Sequence, residues 1–554
     1  MTDLHDEAEA YDLTTRPWIM CLDVHGERRI LSVRETFAQS REVLRIAGDS
    51  PQQDLALLRL LLVVFWRAHR QDPRLADGSP EEAAEWWGAQ FTGDEDAQAG
   101  QRIQSYLDKV APRWDLLHPS HPFMQVADLH TAKGEHSPVR KLIPDAESPY
   151  FTMRAGKGLE SLDFAEAARW LVHLQAWNYS GIKSGAVGDS RVKGGKGYPI
   201  GTGWSGRGGG VILHGRNLAE TLTLNTVPHL VFGEQAERDL PVWERAPDGA
   251  GARGVEHAMG PCDLLTWQIR RVRLFSSQGR VTGVLVANGD RLESQNEMSD
   301  PMTAYRLSGP QSKKAGRDVW MPRAHSETRT LWRGIGPLLA QGEGAKADVR
   351  PPSTVMELPH MAREAEDFLD EDPLVTVQLV GTVYGTQDAV VVSTVDETMP
   401  LRLSILMRDK QRAAPLITST AEATMQVAIG LGQFAGVLKQ AASGDYVFGA
   451  DATEAFLTSL NEPFKAWLAA LTPETDATEY RAKWFKEAER VALEHARALA
   501  SSVSPSAVIG REDDEGRLVS VATARAHLEC SFRKHFGSKA QGTKTLAEKG
   551  MATS

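Results

Sequence analysis

The stretch Ser180–Gly210, SGIKSGAVGDSRVKGGKGYPIGTGWSGRGGG, carries the residue types that point most directly to chemistry in this chain. It holds twelve glycines, five cations (Lys183, Arg191, Lys193, Lys196, Arg207) and one acid, Asp189. So much glycine argues against a helix or central strand, because glycine loses the most backbone entropy on ordering. What glycine does allow is close approach of backbone N–H groups, and with interspersed cations the natural target is a polyanion. Gly201–Gly206 spells GxGxxG, but VILHGR follows rather than a helix, so the match to a nucleotide-binding loop is read as chance. A nucleic-acid backbone fits the pattern better. A plain structural or linker loop remains the competing reading.

Four other places hold chemistry-bearing residues. His118 and His121 suit metal ligation in type, yet each precedes a proline and no carboxylate or cysteine completes a set, so packing is the expectation. Tyr150–Gly158 (YFTMRAGKG) puts an aromatic beside cations on a flexible segment, which suits base stacking or a simple anchor on the core. Arg270, Arg271 and Arg273 lie on an apparent strand and could form a cationic face, and a solvated edge is the expected environment. Finally, Gly385-Thr386-Gln387-Asp388 joins two β-branched runs as a hairpin tip, placing Gln387 on an exposed, rigidly held finger or on an ordinary turn. No Walker lysine, carboxylate cluster or nucleophile–base pair is evident. A nucleotide- or metal-dependent hydrolase using the glycine-rich loop is therefore the alternative, and a non-enzyme the expectation, with no cofactor and no metal.

The elements that must position these residues follow from patterning. At 554 residues the chain needs more than one core. Its net charge of −11 excludes a generally basic nucleic-acid coat, so any such contact is local. Cys21, Cys262 and Cys530 are far apart, which fits a reducing, cytoplasmic setting; no signal peptide or membrane span is evident. The spacing predicts a hairpin at Pro17–Asp23/Arg29–Val33, an interior helix over Pro51–His69, and helices at Glu81–Trp87, Gln98–Val110 and Leu162–Trp177. Strand-like runs follow at Val211–Leu213 and Thr221–Leu224, then hairpins at Thr266–Phe275/Arg280–Val286 and Leu374–Tyr384/Ala389–Val395. Four helical stretches close the chain: Leu416–Ala442, Ala452–Leu471, Thr478–Ser502 and Leu518–Phe536. The expected class is α+β: a large mixed α/β domain with antiparallel hairpins over 1–403, a four-helix bundle over 404–540 and a polar tail over 541–554.

HPFMQ (His121–Gln125), the glycine-rich block running into GRNLAETLTLN (Gly215–Asn225), the Gln-tipped hairpin and the C-terminal helices, in this order, resemble the CasA family. This is the large subunit of the type I-E CRISPR surveillance complex Cascade. The resemblance implies antiviral defence: recognition of a protospacer-adjacent motif in double-stranded DNA, initiation of strand separation and help in loading a helicase–nuclease. By that resemblance, Gly201, Thr202 and Gly203, with Lys193 and Lys196, would meet the minor groove. Gln387, flanked by Thr386 and Asp388, would be the wedge. Phe151, Met153, Arg154 and Lys157 would contact the guide RNA 5′ handle and neighbouring Cascade subunits. Some relatives carry a cysteine-rich zinc knuckle; Cys262 stands alone here, so no zinc is expected.

Overall fold

The computed structural model describes residues 10–76, 78–144, 160–233, 235–325, 348–365, 374–402, 413–443, 445–472, 475–513 and 515–537. These fall into two compact units, one reaching Thr398 and the other starting at Met399. The chain is mixed helix and sheet with mainly antiparallel pairing. No described helix is long and apolar enough to cross a membrane.

In the first unit, β1 (Ile19–Asp23) pairs antiparallel with β2 (Arg28–Leu31) and β3 (Val43–Ile46). Helix α1 (Pro51–His69) starts at Ser50, whose side chain accepts from the Gln53 N–H, with Pro51 in the first turn. It is buried on nearly every side, as its leucine load requires. Around it come α2 (Pro80–Thr92), α3 (Asp96–Val110), the short β4 (Ser137–Pro138) and α4 (Phe164–Trp177), and both α3 and α4 pack on α1. The glycine-rich stretch then contributes β5 (Lys183–Ser184), β6 (Lys196–Gly197) and a five-residue helix, α5 (Trp204–Gly208). Next are β7 (Gly210–His214), α6 (Leu218–Leu224), β8 (Arg270–Ser277) and β9 (Arg280–Asn288). Strand β9 pairs with β4 and β8 and, in parallel, with β5. A small sheet of β10 (Tyr305–Leu307), β11 (Trp320–Pro322) and β12 (Val349–Arg350) precedes the long hairpin of β13 (Leu374–Tyr384) and β14 (Val391–Arg402).

Two expectations are overturned in this unit. Thr221–Leu224 is helical, not extended. The Asn217 side chain caps α6 by accepting from the Glu220 N–H at 3.0 Å, and the Thr221 and Thr223 hydroxyls donate back to the carbonyls of Asn217 and Ala219. These local bonds outweigh the strand preference of β-branched residues. Asn225 then brackets β7, accepting from the Leu213 N–H and donating to the Leu213 carbonyl, so the GRNLAETLTLN motif closes a strand edge. The second correction concerns arginine. Arg270 and Arg271 are 0% and 1% exposed rather than on a solvated edge.

In the second unit, α7 (Ala413–Ser443) packs with α8 (Ala450–Ser459), α10 (Ala477–Ser501) and α11 (Val521–Phe536); α9 (Asn461–Ala469) adjoins α8. The row Phe456, Leu460, Phe464 and Leu468 is fully buried. The helix expected over Ala452–Leu471 is two helices meeting at Leu460. Pro463 explains the break, because it has no N–H to donate to the Ser459 carbonyl.

Candidate nucleic-acid interface

The glycine-rich stretch separates into an outer and an inner half. In the outer half, the N–H of Lys193 donates to the Lys196 carbonyl at 3.0 Å and the reverse bond is 3.1 Å. Gly194 (φ 58°) and Gly195 (φ 71°) lie between them, both left-handed, so the four residues make a two-residue hairpin of the kind glycine favours. Lys193, Gly194, Gly195 and Lys196 are all exposed, and Tyr198 beside them is 55% exposed. A side chain added at Gly194 or Gly195 would meet no protein atom, so the backbone there is open to a ligand.

The other cations are engaged within the protein. Arg191 closes a two-pronged ion pair on Asp189 (2.9 and 3.0 Å) and also reaches the Asn288 carbonyl. That interaction holds the Asp189 carboxyl below its ordinary pKa, against the desolvation that would raise it. The ammonium of Lys183 sits 3.8 Å from the centre of the Tyr179 ring. Arg207 donates to the Leu292 carbonyl at 2.7 Å and to the Ser294 hydroxyl, and burial pulls its pKa down to about 10. The five cations of the sequence therefore reduce to two that project, Lys193 and Lys196.

The inner half is packed. Thr202 is 4% exposed and Gly203 is buried, its N–H donating to the Asn178 carbonyl at 3.1 Å. A side chain at Gly203 would collide with the Ala176 carbonyl at the end of α4. Of the three residues expected at the loop tip, only Gly201 (φ 102°) keeps partial exposure. Its carbonyl accepts from Arg270 at 2.8 Å, and the same guanidinium holds the Tyr179 carbonyl (2.9 Å) and the Asn178 side chain (2.8 Å). Burial lowers the Arg270 pKa to about 9, which leaves it charged at neutral pH. Asp300 braces the far end: it pairs with Arg59 at 2.5 Å and accepts from the Trp204 indole at 2.7 Å, while Arg59 also holds Ser205. Arg270, Arg59 and Asp300 thus position the loop without belonging to it. No local spacing marks them; Arg59 interrupting the apolar run Leu55–Trp66 of α1 is the one signal the sequence offers.

The Gln387 tip is fastened to the same framework. Thr386, Gln387 and Asp388 are exposed, and Gln387 (φ 58°) and Asp388 (φ 53°) are successive left-handed residues. Such a conformation costs about 1–2 kcal/mol per non-glycine residue, so something must hold it. The Asp388 N–H donates to the Gly385 carbonyl (3.0 Å), and the Asp388 carbonyl accepts from the N–H of Ser180 (2.8 Å), the first residue of the glycine-rich stretch. The Tyr384 hydroxyl donates to the Trp177 carbonyl at 2.6 Å. From the other end, β7 pairs with β13 from Val380↔Gly210 to Thr376↔His214. Segments some 200 residues apart in sequence are tied at both ends.

The remaining candidates are placed as follows. The His118 and His121 rings stack with centres 3.4 Å apart, and no group of three His, Cys, Asp or Glu able to hold a metal occurs among the described residues. Gln125 of HPFMQ donates to the Leu116 carbonyl and accepts from the Leu274 N–H, extending the edge of β8. Phe151, Met153, Arg154 and Lys157 lie outside the described residues.

The family model of CRISPR-associated protein Cse1 matches residues 12–495. The chain belongs to the Cse1 family. A curated relative, CRISPR-associated protein CasA/Cse1 of Thermus thermophilus, is 30% identical over 437 residues, covering 77% of this chain and 76% of the relative. The crystal structure of Thermobifida fusca Cse1 superposes with a TM-score of 0.83 at 36% identity, covering 96% of this chain and 99% of that one. A chain of a CRISPR RNA-guided surveillance complex shares the Cse1 fold at a TM-score of 0.63 and 19% identity, over 88% and 99% of the two chains.

Proposed function

We propose that this Cse1-family chain is the large subunit of a type I-E RNA-guided surveillance complex. In this reading it recognises a short motif in double-stranded DNA through the minor groove and begins to separate the strands. The observation that carries the reading is the joining of an exposed Lys-Gly-Gly-Lys turn and an exposed, left-handed Gln387 tip to one hydrogen-bonded framework. A minor groove only about 6 Å wide admits bare backbone more readily than side chains. Lys193 and Lys196 supply phosphate contacts, and Gly201 the neighbouring backbone. Gln387, with Thr386 and Asp388 beside it, enters next to the motif, where unstacking one step costs a few kcal/mol. Guide RNA pairing then reads the remaining target. Phe151, Met153, Arg154 and Lys157 are assigned to the guide RNA handle. The C-terminal helices, read as a four-helix bundle, face other subunits, and a separate helicase–nuclease performs cleavage.

The test is a reconstituted complex on a motif-bearing duplex with a fluorescent base beside the motif. Gln387→Ala is expected to slow strand opening about tenfold, a barrier change of roughly 1.4 kcal/mol, while initial duplex binding stays nearly constant. Equal loss of both would remove the wedge role.

A further inference from the structure

A cavity of about 200 Å³ lies against the root of the Gln387 hairpin. Its walls include Trp170, His173 and Trp177 of α4, Tyr179 just beyond, and Tyr384 and Thr394 of the hairpin strands. Aromatic faces of this kind stack on any nucleobase, because every base presents a π-face. His173 adds a polar element: it is 6% exposed, and its Nδ1 is buried with no hydrogen-bond partner among the described residues. A buried nitrogen left unpaired is costly, and such atoms in native folds call for a partner. Burial alone lowers the His173 pKa to about 3, so the ring is neutral at physiological pH. A neutral imidazole can hydrogen-bond the edge of a base, and the charged residues of the lining, Asp49 and Lys141, are opposite in sign.

We propose that this cavity receives one extruded nucleobase of the DNA strand displaced at the Gln387 tip. The assignment rests on the function proposed above and adds a destination for a base that strand opening leaves unstacked. Tyr384 stands three residues before Gln387 in the hairpin, so a base parted at the tip has a short path to the cavity. Stacking on the half-buried Tyr179 and Tyr384 rings, with an edge contact to His173, uses the means by which proteins retain bases taken out of a duplex.

The test uses the reconstituted complex with 5-iododeoxyuridine placed singly at each displaced-strand position beside the motif. Irradiation is expected to cross-link one position to the peptide spanning Trp170–Tyr179. His173→Phe should abolish that cross-link and slow strand opening about threefold to tenfold. Thr394→Phe, at an exposed rim position, fills the cavity without disturbing the core and should do the same. A cross-link from an iodouridine-labelled guide RNA handle instead, or normal cross-linking and opening in both variants, overturns the proposal. If Gln387→Ala still slows opening while both filling variants do not, only the cavity assignment falls. If none of the three slows opening, the strand-separation reading falls as well.

Discussion

The two halves of Ser180–Gly210 have similar composition and opposite uses. Gly194 and Gly195 face open space, and there glycine serves the left-handed backbone of an exposed turn. Gly203 and Gly206 face the Ala176 carbonyl and the Tyr384 hydroxyl, and there glycine lets backbone press against neighbouring elements. The cations divide the same way, with Lys193 and Lys196 outside and Arg207 spent on interior acceptors. A glycine-rich, basic segment is therefore two devices: a packed base bolted to α4 and β13, and a slim projection carried on it.

The largest effect is expected at the brace of the packed half. Asp300→Ala strands the buried Arg59 and frees the Trp204 indole, and should destabilise the first unit by about 3–5 kcal/mol, read by chemical denaturation. Unchanged stability would mean the inner half is not held from Asp300. Next, Gly203→Val should cost about 3 kcal/mol through overpacking, whereas Gly194→Ala should cost about 1 kcal/mol for a left-handed alanine with no clash. Similar losses at both positions would erase the distinction between the halves. The smallest stability effect belongs to Lys193→Ala with Lys196→Ala, within about 0.5 kcal/mol of the parent. The same pair should lower the salt dependence of duplex binding by about one unit of slope per phosphate contact removed. A salt slope equal to that of the parent would take these lysines off the DNA.

Much of the fold is legible along the chain because its causes are local. Pro51–His69 is a capped apolar run, and Leu374–Tyr384 is a β-branched strand ending at a glycine, so both appear where periodicity and turn chemistry put them. Thr221–Leu224 reads wrongly for a related reason. Its β-branched residues favour a strand, and the cap from Asn217 that overrides them lies outside the run. Arg270 and Arg271 mislead more deeply. Arginine on an alternating strand normally faces water, but here distant segments supply the acceptors, including the carbonyls of Tyr179 and Gly201 for Arg270 and Asp290 for Arg271.

What the amino-acid order determined alone is the existence of a glycine-rich cationic stretch and a glutamine-tipped hairpin, since turn and strand preferences act over a few residues. What only the tertiary structure decided is which cations project, which glycines are packed, and that the two segments meet through Ser180, Asp388 and the β7–β13 ladder. Burial and long-range hydrogen bonding depend on partners far away in the chain, and one segment's residues carry no record of which distant carbonyl will face them.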